Sequence, residues 1–297
     1  MPTLVVLTGP TAVGKTETAL QLAEQLGSPI INADSRQLYR DLPIGTAAPT
    51  AEQQQRVKHY FVGTLAIDQY YSAARYEQEV MELTAQLFKT HDTLLLTGGA
   101  MLYIDAVCKG IDDIPTIDDE VRQHIRERLH NEGLEQLKNE LRILDPEYYA
   151  QVDLHNTQRI VHAVEICYQT GRTYTSYRTR AAAPRPFRIV KVGLLRERED
   201  LFNRINLRVE QMLHDGLMDE TRRMQPYREY NALNTVGYKE MFQVLDGTWT
   251  LDFAKERMKK NTRVYAKKQM TWFKRDSNMH WLHPDDPAIL SKIRELI

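Results

Sequence analysis

The chain has 297 residues, of which 39 are basic, 40 are acidic and 42% are hydrophobic. This composition is typical of a soluble globular protein and excludes disordered, collagen-like and coiled-coil chains. The longest apolar runs are too short to cross a bilayer, the start of the chain has no basic leader, and Cys108 and Cys167 form no paired motif, so we expect a cytoplasmic protein with reduced thiols.

Short apolar runs alternate with helical patterns in the first third of the chain. The runs, which are typical of buried parallel strands, lie at residues 4–8, 29–33 and 93–97. Apolar residues at helical spacing predict helices at Lys15–Leu26, ended by Gly27, and at Tyr76–Lys89. The alternation predicts an α/β fold with a doubly wound parallel sheet.

Residues 113–186 are rich in helix signals and poor in strands. The acidic run at residues 118–120 predicts the start of a helix that Gly133 ends, Asp145-Pro146 predicts a second start, and residues 156–169 predict an amphipathic helix closed by Gly171. The residues from Ala181 to Pro186 then predict a linker. We therefore predict a helical insertion domain at 113–186 within a core formed by 1–112 and 187–297.

The last third of the chain predicts a return to the sheet and then more helices. A strand is expected at 188–195, helices at 201–213 and 251–273, and a weak strand at 279–282.

Two basic stretches stand out in a chain whose net charge is −1. Residues 255–275 contain nine basic residues and one acid, and residues 172–191 contain six basic residues and no acid. Both stretches are interleaved with aromatic residues, including Tyr174 and Tyr177 in one and Tyr265 and Trp272 in the other. The pattern suits phosphate contact with base stacking, although a solvated helix face remains an alternative.

A phosphate-binding motif follows the first predicted strand. Residues 9–16 match G-x-x-x-x-G-K-[ST] and precede a predicted helix, as the motif requires. We expect these residues to hold a diphosphate or triphosphate, with Lys15 as the cation and Thr16 as a ligand for Mg²⁺. The eight residues are Gly9, Pro10, Thr11, Ala12, Val13, Gly14, Lys15 and Thr16. This motif predicts a P-loop NTPase-like core, and most such loops belong to ATP-binding or GTP-binding enzymes and kinases.

Two further strand ends are expected beside this loop. Asp34 follows the second strand and Gly98-Gly99 ends the third. Because ligands of open parallel sheets bind at the carboxyl edge, the three strand ends predict one site. Asp34 could hold Mg²⁺ through water, act as a general base or cap a turn.

At these residues the chain resembles the tRNA dimethylallyltransferases of the bacterial type. The phosphate loop, residues 34–39 with 42–47, and Gly98–Tyr103 match motifs of that family, and later matches lie at residues 156–160, 236–240 and 267–273. The resemblance implies transfer of a dimethylallyl group from dimethylallyl diphosphate to N6 of adenosine 37 in tRNAs that read codons beginning with U. The products are N6-isopentenyladenosine and diphosphate, and a monomer is expected.

The resemblance also implies roles for single residues. Asp34 would accept the N6 proton, Thr11 would lie near the reacting end, and Arg208 would join Lys15 at the diphosphate, where developing charge is stabilised. Contacts to the extruded adenosine and the anticodon stem-loop are expected from Asp34, Ser35, Arg36, Gln37, Ala100, Arg122, Gln158, Arg159, Ile160, Val161, His162 and Lys267.

Two positions depart from the family pattern. Ala100 replaces the usual threonine, whose hydroxyl faces the adenine in relatives, and the lost hydrogen bond is worth about 0.5 to 1.5 kcal/mol. His162 stands where the family often has arginine, which makes phosphate contact there weaker or pH-dependent. Three alternatives remain open: a nucleoside or nucleotide kinase, an isopentenyltransferase for free adenine nucleotides, and a non-catalytic RNA-binding protein.

Overall fold

The computed structural model describes residues 1–112, 114–179 and 183–297. It forms two compact units, a core unit of residues 1–109 with 184–297 and a helical unit of residues 110–183. Asp113, at the start of the predicted insertion, and Arg180, Ala181 and Ala182, in the basic stretch and the predicted linker, lie outside the described residues.

The core unit contains one sheet whose neighbouring strands are all parallel, which confirms the predicted fold class. The strand order is β3-β2-β4-β1-β5-β6. The strands are β1 (Thr3–Thr8), β2 (Ile30–Ala33), β3 (His59–Tyr60), β4 (Thr93–Gly98), β5 (Arg188–Leu194) and β6 (Met279–Leu282). The sequence did not predict β3, because a strand of two residues leaves no periodic pattern.

The described residues include helices from both units. They are α1 (Lys15–Leu26), α2 (Ala51–Arg56), α3 (Ala73–Leu87), α4 (Met101–Lys109), α5 (Asp119–Glu132), α6 (Leu134–Leu144), α7 (Pro146–Gln151), α8 (Thr157–Thr170), α9 (Arg198–His214), α10 (Leu217–Arg223), α11 (Tyr238–Leu245), α12 (Leu251–Phe273) and α13 (Ile289–Glu295). Helix α3 begins three residues earlier than predicted, because the Ser72 side chain accepts the N–H of Arg75 and caps the helix there.

The carboxyl ends of β1 and β4 are fixed to each other and to β2. Thr8 Oγ1 donates to Gly98 O at 3.1 Å, and Thr97 Oγ1 donates to Leu7 O at 3.0 Å. A Cβ atom at Gly98 would lie 2.1 Å from Ala33 O, so only glycine lets β2 and β4 approach this closely. These contacts therefore fix the positions of the three strand ends at the carboxyl edge of the sheet.

The helical unit has its own apolar core. Its fully buried side chains include Ile125, Leu137, Leu141, Ile160 and Val164. The predicted cap at Asp145 is confirmed, since its side chain accepts the N–H of Tyr148. Asn156, predicted as the first residue of a helix, is instead the N-cap of α8, and its side chain accepts the N–H of Arg159. The unit therefore needs no strand to bury its apolar faces.

No helix within the described residues is both long enough and apolar enough to cross a membrane. Cys108 and Cys167 are free and buried, which confirms the expectation of unpaired thiols.

Candidate functional site

The phosphate loop joins β1 to α1, as the motif predicts. Gly9 has φ +147°, and a Cβ atom there would lie 2.7 Å from Leu194 O on the neighbouring β5. Ala12 has φ 64° and Gly14 has φ 119°, so the backbone turns repeatedly within a few residues. Such a turn lets successive N–H groups converge on an anion.

Basic side chains hold several carbonyls of this loop. Arg196 Nε donates to Val13 O at 2.7 Å, and Arg204 Nε donates to Ala12 O at 2.9 Å. Lys15 Nζ donates to Gly9 O at 2.9 Å and to Pro10 O at 2.8 Å. These bonds fix the carbonyl oxygens of the loop, so that its N–H groups can face an anion.

Three of the eight loop residues do not offer an amide to a diphosphate, which corrects that part of the prediction. Pro10 has no N–H group, and the N–H of the buried Val13 donates to Pro10 O at 3.3 Å. The N–H of Thr11 donates to Gln269 Oε1 at 2.9 Å. The amides of residues 12 and 14–16 have no hydrogen-bond acceptor among the described residues, so these are the candidate phosphate donors.

Two cations meet beside the loop without a carboxylate in contact. Burial and, to a smaller extent, nearby Arg208 lower the pKa of Lys15, while Asp34 opposes them, and together they bring it from 10.5 to about 7. Burial also lowers the pKa of Arg208, which makes no salt bridge or hydrogen bond to the described residues. A bound anion would stabilise both charges, so the site is electrostatically prepared for one.

Asp34 is held in a tight turn after β2. Its Oδ1 atom accepts the N–H of Arg36 at 2.9 Å and of Gln37 at 3.4 Å. The turn-capping role that the sequence left open is therefore present. Its other carboxylate oxygen has no hydrogen bond from the described residues and remains available as a base or ligand.

Two cavities adjoin at Asp34. The first, of about 510 Å³, is lined by the phosphate loop, Lys15 and the end of β4. The second, of about 460 Å³, is lined by Ser35 and Arg36 and by residues 234–236. Residues that line both cavities are Thr11, Asp34, Thr46, Arg208 and Tyr265. The predicted catalytic side chains of Asp34, Thr11 and Arg208 thus stand where the two cavities meet.

Gln269 is a site residue that the sequence analysis missed. It is 1% exposed, accepts the N–H of Thr11 and donates from Nε2 to Gly99 O at 2.9 Å. It therefore ties the phosphate loop to the end of β4. Its place in the matched segment 267–273 was the one available signal, and that segment predicted no partner for it.

The loop at residues 42–47 is anchored by a buried carboxylate. Glu220 is fully buried and accepts the N–H of Ile44 at 2.9 Å, the N–H of Gly45 at 2.8 Å and the hydroxyl of Tyr238 at 2.6 Å. The Gln37 side chain in turn donates to the carbonyls of residues 46 and 47. The donors of Gln37 are thus engaged by this loop, and its side-chain carbonyl is the part left for a ligand.

Ala100 occupies the position directly before α4. Its carbonyl accepts the N–H of Ile104 at 3.1 Å, and its N–H donates to Ala33 O at 3.0 Å. Ala100 lines neither of the two cavities at Asp34. A threonine at this position would be an N-cap residue for α4, so alanine leaves the helix without a side-chain cap.

The predicted anticodon-loop residues of α8 have different environments. Gln158, Arg159 and His162 line a cavity of about 570 Å³ in the helical unit. Ile160 is fully buried in the core of that unit, so its side chain is not available for the RNA contact expected of this segment, and Val161 is partly buried against the same core. The core pattern of Ile160, Ala163 and Val164 was readable from their helical spacing.

Arg122 and Lys267 are the remaining predicted contacts. The Arg122 side chain is 23% exposed and has a long ion pair of 4.0 Å with Asp119 on α5. Lys267 is exposed on α12, and its Nζ atom lies 5.9 Å from the ring centre of Phe202. Neither residue lines the two cavities at Asp34.

The donor set fits a metal ion that arrives with a phosphate ligand. Within the described residues, no three His, Cys, Asp or Glu side chains are close enough to hold a metal ion. The Thr16 hydroxyl lines the first cavity and has no hydrogen-bond partner among the described residues. Mg²⁺ commonly takes one or two protein oxygens and completes its shell with substrate phosphates and water.

Comparisons with known proteins agree over most of the chain. Residues 37–276 match the model of the IPP transferase family. A relative from Phocaeicola vulgatus named tRNA dimethylallyltransferase 1 is 61% identical over 283 residues, which cover 95% of this chain and 94% of the relative. A relative of the same name from Bacteroides thetaiotaomicron is 59% identical over 295 residues, covering 99% and 96%.

A solved structure has the same fold. The crystal structure of the full-length tRNA isopentenylpyrophosphate transferase from Bacillus halodurans aligns with a TM-score of 0.70 and 34% identity. The alignment covers 99% of this chain and 94% of that chain.

Proposed function

The chain belongs to the IPP transferase family, and from that premise we propose that it transfers a dimethylallyl group from dimethylallyl diphosphate to N6 of adenosine 37 in tRNAs that read codons beginning with U. The observation that carries the proposal is the position of Asp34. It lines both a cavity that contains the phosphate loop and a second cavity that is lined by Ser35 and Arg36. A donor in one cavity and an acceptor in the other can therefore reach the same carboxylate.

The diphosphate binds in the first cavity. The free amides of residues 12 and 14–16, with Lys15 and Arg208, supply positive charge at its oxygens. These groups stabilise the diphosphate most strongly when the bond between the allylic carbon and oxygen breaks, because the electron pair of that bond then passes to the diphosphate. Mg²⁺, held by the Thr16 hydroxyl and phosphate oxygens, would add charge stabilisation to the leaving group.

The adenosine enters from the second cavity. A base stacked in an anticodon loop cannot reach a buried carboxylate, so it must be extruded into the protein. N6 then forms a bond to the allylic carbon and gives up one proton to Asp34. Ser35 and Arg36 line this cavity beside Asp34 and would orient the base, and the carbonyl oxygen of Gln37, which lines the first cavity, would contact it there.

The same observations weigh against the alternatives. A kinase would need bound ATP and an acceptor hydroxyl, and it leaves the two basic and aromatic stretches unexplained. An enzyme for free adenine nucleotides leaves the basic and aromatic stretches unexplained. The cations and carboxylate of the site are all in place, which does not favour a non-catalytic protein. We propose that the protein acts as a monomer, and tRNA as substrate favours the cytoplasm.

A direct test is incubation of the purified protein and Mg²⁺ with radiolabelled dimethylallyl diphosphate and either unmodified tRNA or AMP. The tRNA should carry adenosines at positions 36 to 38. We expect label in tRNA only. Label in AMP would support the enzyme for free nucleotides, and label in neither would support the non-catalytic alternative.

A further inference from the structure

A cavity in the helical unit has a wall of aromatic and basic side chains. Besides Gln158, Arg159 and His162, it is lined by Tyr148, Tyr174 and Arg178. The ring centres of the two tyrosines lie 4.7 Å apart at an angle of 73°, an edge-to-face pair. Tyr174 and Arg178 belong to the basic and aromatic stretch at residues 172–191, none of whose residues takes part in the chemistry at Asp34.

A buried carboxylate fixes this wall in place. Asp145 is 1% exposed, and its Oδ1 atom accepts the N–H of Tyr148 at 3.0 Å and the hydroxyl of Thr175 at 2.8 Å. Its Oδ2 atom accepts the N–H of Thr175 at 2.7 Å. One side chain thus joins the start of α7 to the turn that contains Tyr174. The tyrosine pair is therefore preorganised rather than assembled by a ligand.

Arg178 lies against both rings. Its guanidinium carbon is 5.0 Å from the ring centre of Tyr148 and 5.8 Å from that of Tyr174. Within the described part of the chain, its side chain forms no salt bridge or hydrogen bond. A planar cation that lies on aromatic rings and lines a cavity is a surface on which a nucleobase can stack.

The charge of the cavity suits a phosphate. Arg159 also forms no salt bridge with a described residue, and none of the described lining residues is acidic. The nearest carboxylate on α8 is Glu165, whose Oε2 atom lies 3.7 Å from Nδ1 of His162. Two arginines without acidic partners therefore face a cavity of about 570 Å³, which is large enough for a nucleotide.

We propose that this cavity binds one unpaired nucleotide of the RNA substrate, with its base stacked on Arg178 and its phosphate contacted by Arg159. The proposal rests on the proposed function for the identity of the RNA. Base recognition in single strands commonly combines stacking on aromatic or guanidinium planes with cationic contacts to the backbone. This cavity in the helical unit adds affinity for the anticodon loop and leaves the chemistry at Asp34 unchanged.

Binding of an unmodified anticodon stem-loop to the full chain tests the proposal, with fluorescence anisotropy as the readout. Arg178→Ala should raise the Kd about tenfold, the order expected for one lost stacking contact. Arg142→Ala removes the same charge from an exposed position on α6 outside the cavity, and we expect little change from it. Equal effects of the two variants would overturn the proposal.

Arg178→Lys separates stacking from charge. Lysine keeps the positive charge and loses the planar surface, so the Kd should stay well above that of the wild type. Recovery of wild-type affinity by lysine would reduce the site to a phosphate contact and would contradict the stacking role.

Abasic substitutions identify the nucleotide. Each stem-loop in the set lacks the base at one position. Loss of the base at one of these positions should raise the Kd for the wild type as much as Arg178→Ala does. The same position should cause no further loss in the variant, because the two changes remove one contact. Additive losses at every position would overturn the proposal. These assays need no dimethylallyl diphosphate, so an absence of prenyl transfer would contradict the proposed function without affecting this result.

Discussion

Gln269 accepts the backbone N–H of Thr11 at 2.9 Å, although 258 positions separate the two residues in the sequence. The same side chain donates to Gly99 O at 2.9 Å. One buried amide therefore connects the phosphate loop, the end of β4 and helix α12. Since Thr11 lines both cavities at Asp34, this contact sets where donor and acceptor meet.

Loss of the Gln269 amide should slow catalysis more than it weakens tRNA binding. Gln269→Ala leaves the Thr11 N–H and Gly99 O without their partner, and we expect kcat to fall roughly tenfold or more. Gln269→Glu should also raise the KM for dimethylallyl diphosphate, because it places a negative charge beside the phosphate loop. Steady-state kinetics with both substrates measure these effects. Gln211→Ala, on the exposed face of α9, is the control, and matching kinetics for the two alanine variants would remove this role.

Diphosphate binding should be coupled to proton uptake by Lys15. Its pKa is lowered from 10.5 to about 7 in the free protein by burial and by Arg208, and a bound diphosphate supplies the opposite charge that raises it again. Calorimetric titration at about pH 8.5 in buffers of different ionisation enthalpy should detect an uptake approaching one proton. Lys15→Met should abolish it. Equal proton uptake by the wild type and this variant would argue against the lowered pKa.

The same pKa shift predicts a pH dependence of stability. Between about pH 7 and 10.5 the unfolded chain holds the Lys15 proton and the folded chain does not. The contribution of Lys15 to the free energy of unfolding therefore rises with pH across this window, and below it the contribution is constant. Urea unfolding at several pH values should show a smaller rise for Lys15→Met than for the wild type.

Much of the fold follows from local sequence patterns, whereas the site depends on contacts between distant residues. The limits of α1 and α12 were predicted as they occur, because apolar spacing and a stop or cap mark them. Asp145 was recognised as a helix cap, but its bonds to Thr175 could not be, since no local pattern encodes them. Gln269 was missed for the same reason. Ile160 is different, because its helical spacing already indicated a core position.

Removal of the Tyr238 hydroxyl should destabilise the core unit. This hydroxyl donates to Glu220, whose carboxylate is fully buried and also holds the loop at residues 44–45. Tyr238→Phe should lower the free energy of unfolding by about 1.5 to 3 kcal/mol, the range for a hydrogen bond to a charged group. Urea unfolding checks this value. Tyr227→Phe at a 40% exposed position should have little effect, and a similar loss there would contradict the argument.

A threonine at position 100 should increase both the free energy of unfolding and kcat. Ala100→Thr supplies an N-cap for α4, expected to add about 0.5 to 2 kcal/mol to the free energy of unfolding. The family resemblance implies that this hydroxyl faces the adenine, so kcat should rise by roughly twofold to tenfold, the equivalent of one neutral hydrogen bond. Ala100→Val has the same shape without the hydroxyl and should give neither gain. A valine variant that matches threonine would assign the effect to packing.

The most direct test of the account is a single-turnover reaction of the wild type and Asp34→Asn with dimethylallyl diphosphate and unmodified tRNA. Asparagine keeps an oxygen that can accept the N–H groups of Arg36 and Gln37, so the turn is retained while the base is removed. We expect N6-isopentenyladenosine at position 37 from the wild type, a rate at least about 100-fold lower for the variant, and unchanged diphosphate affinity. A variant that reacts at the wild-type rate would contradict the assignment of Asp34 as the base on which the mechanism depends.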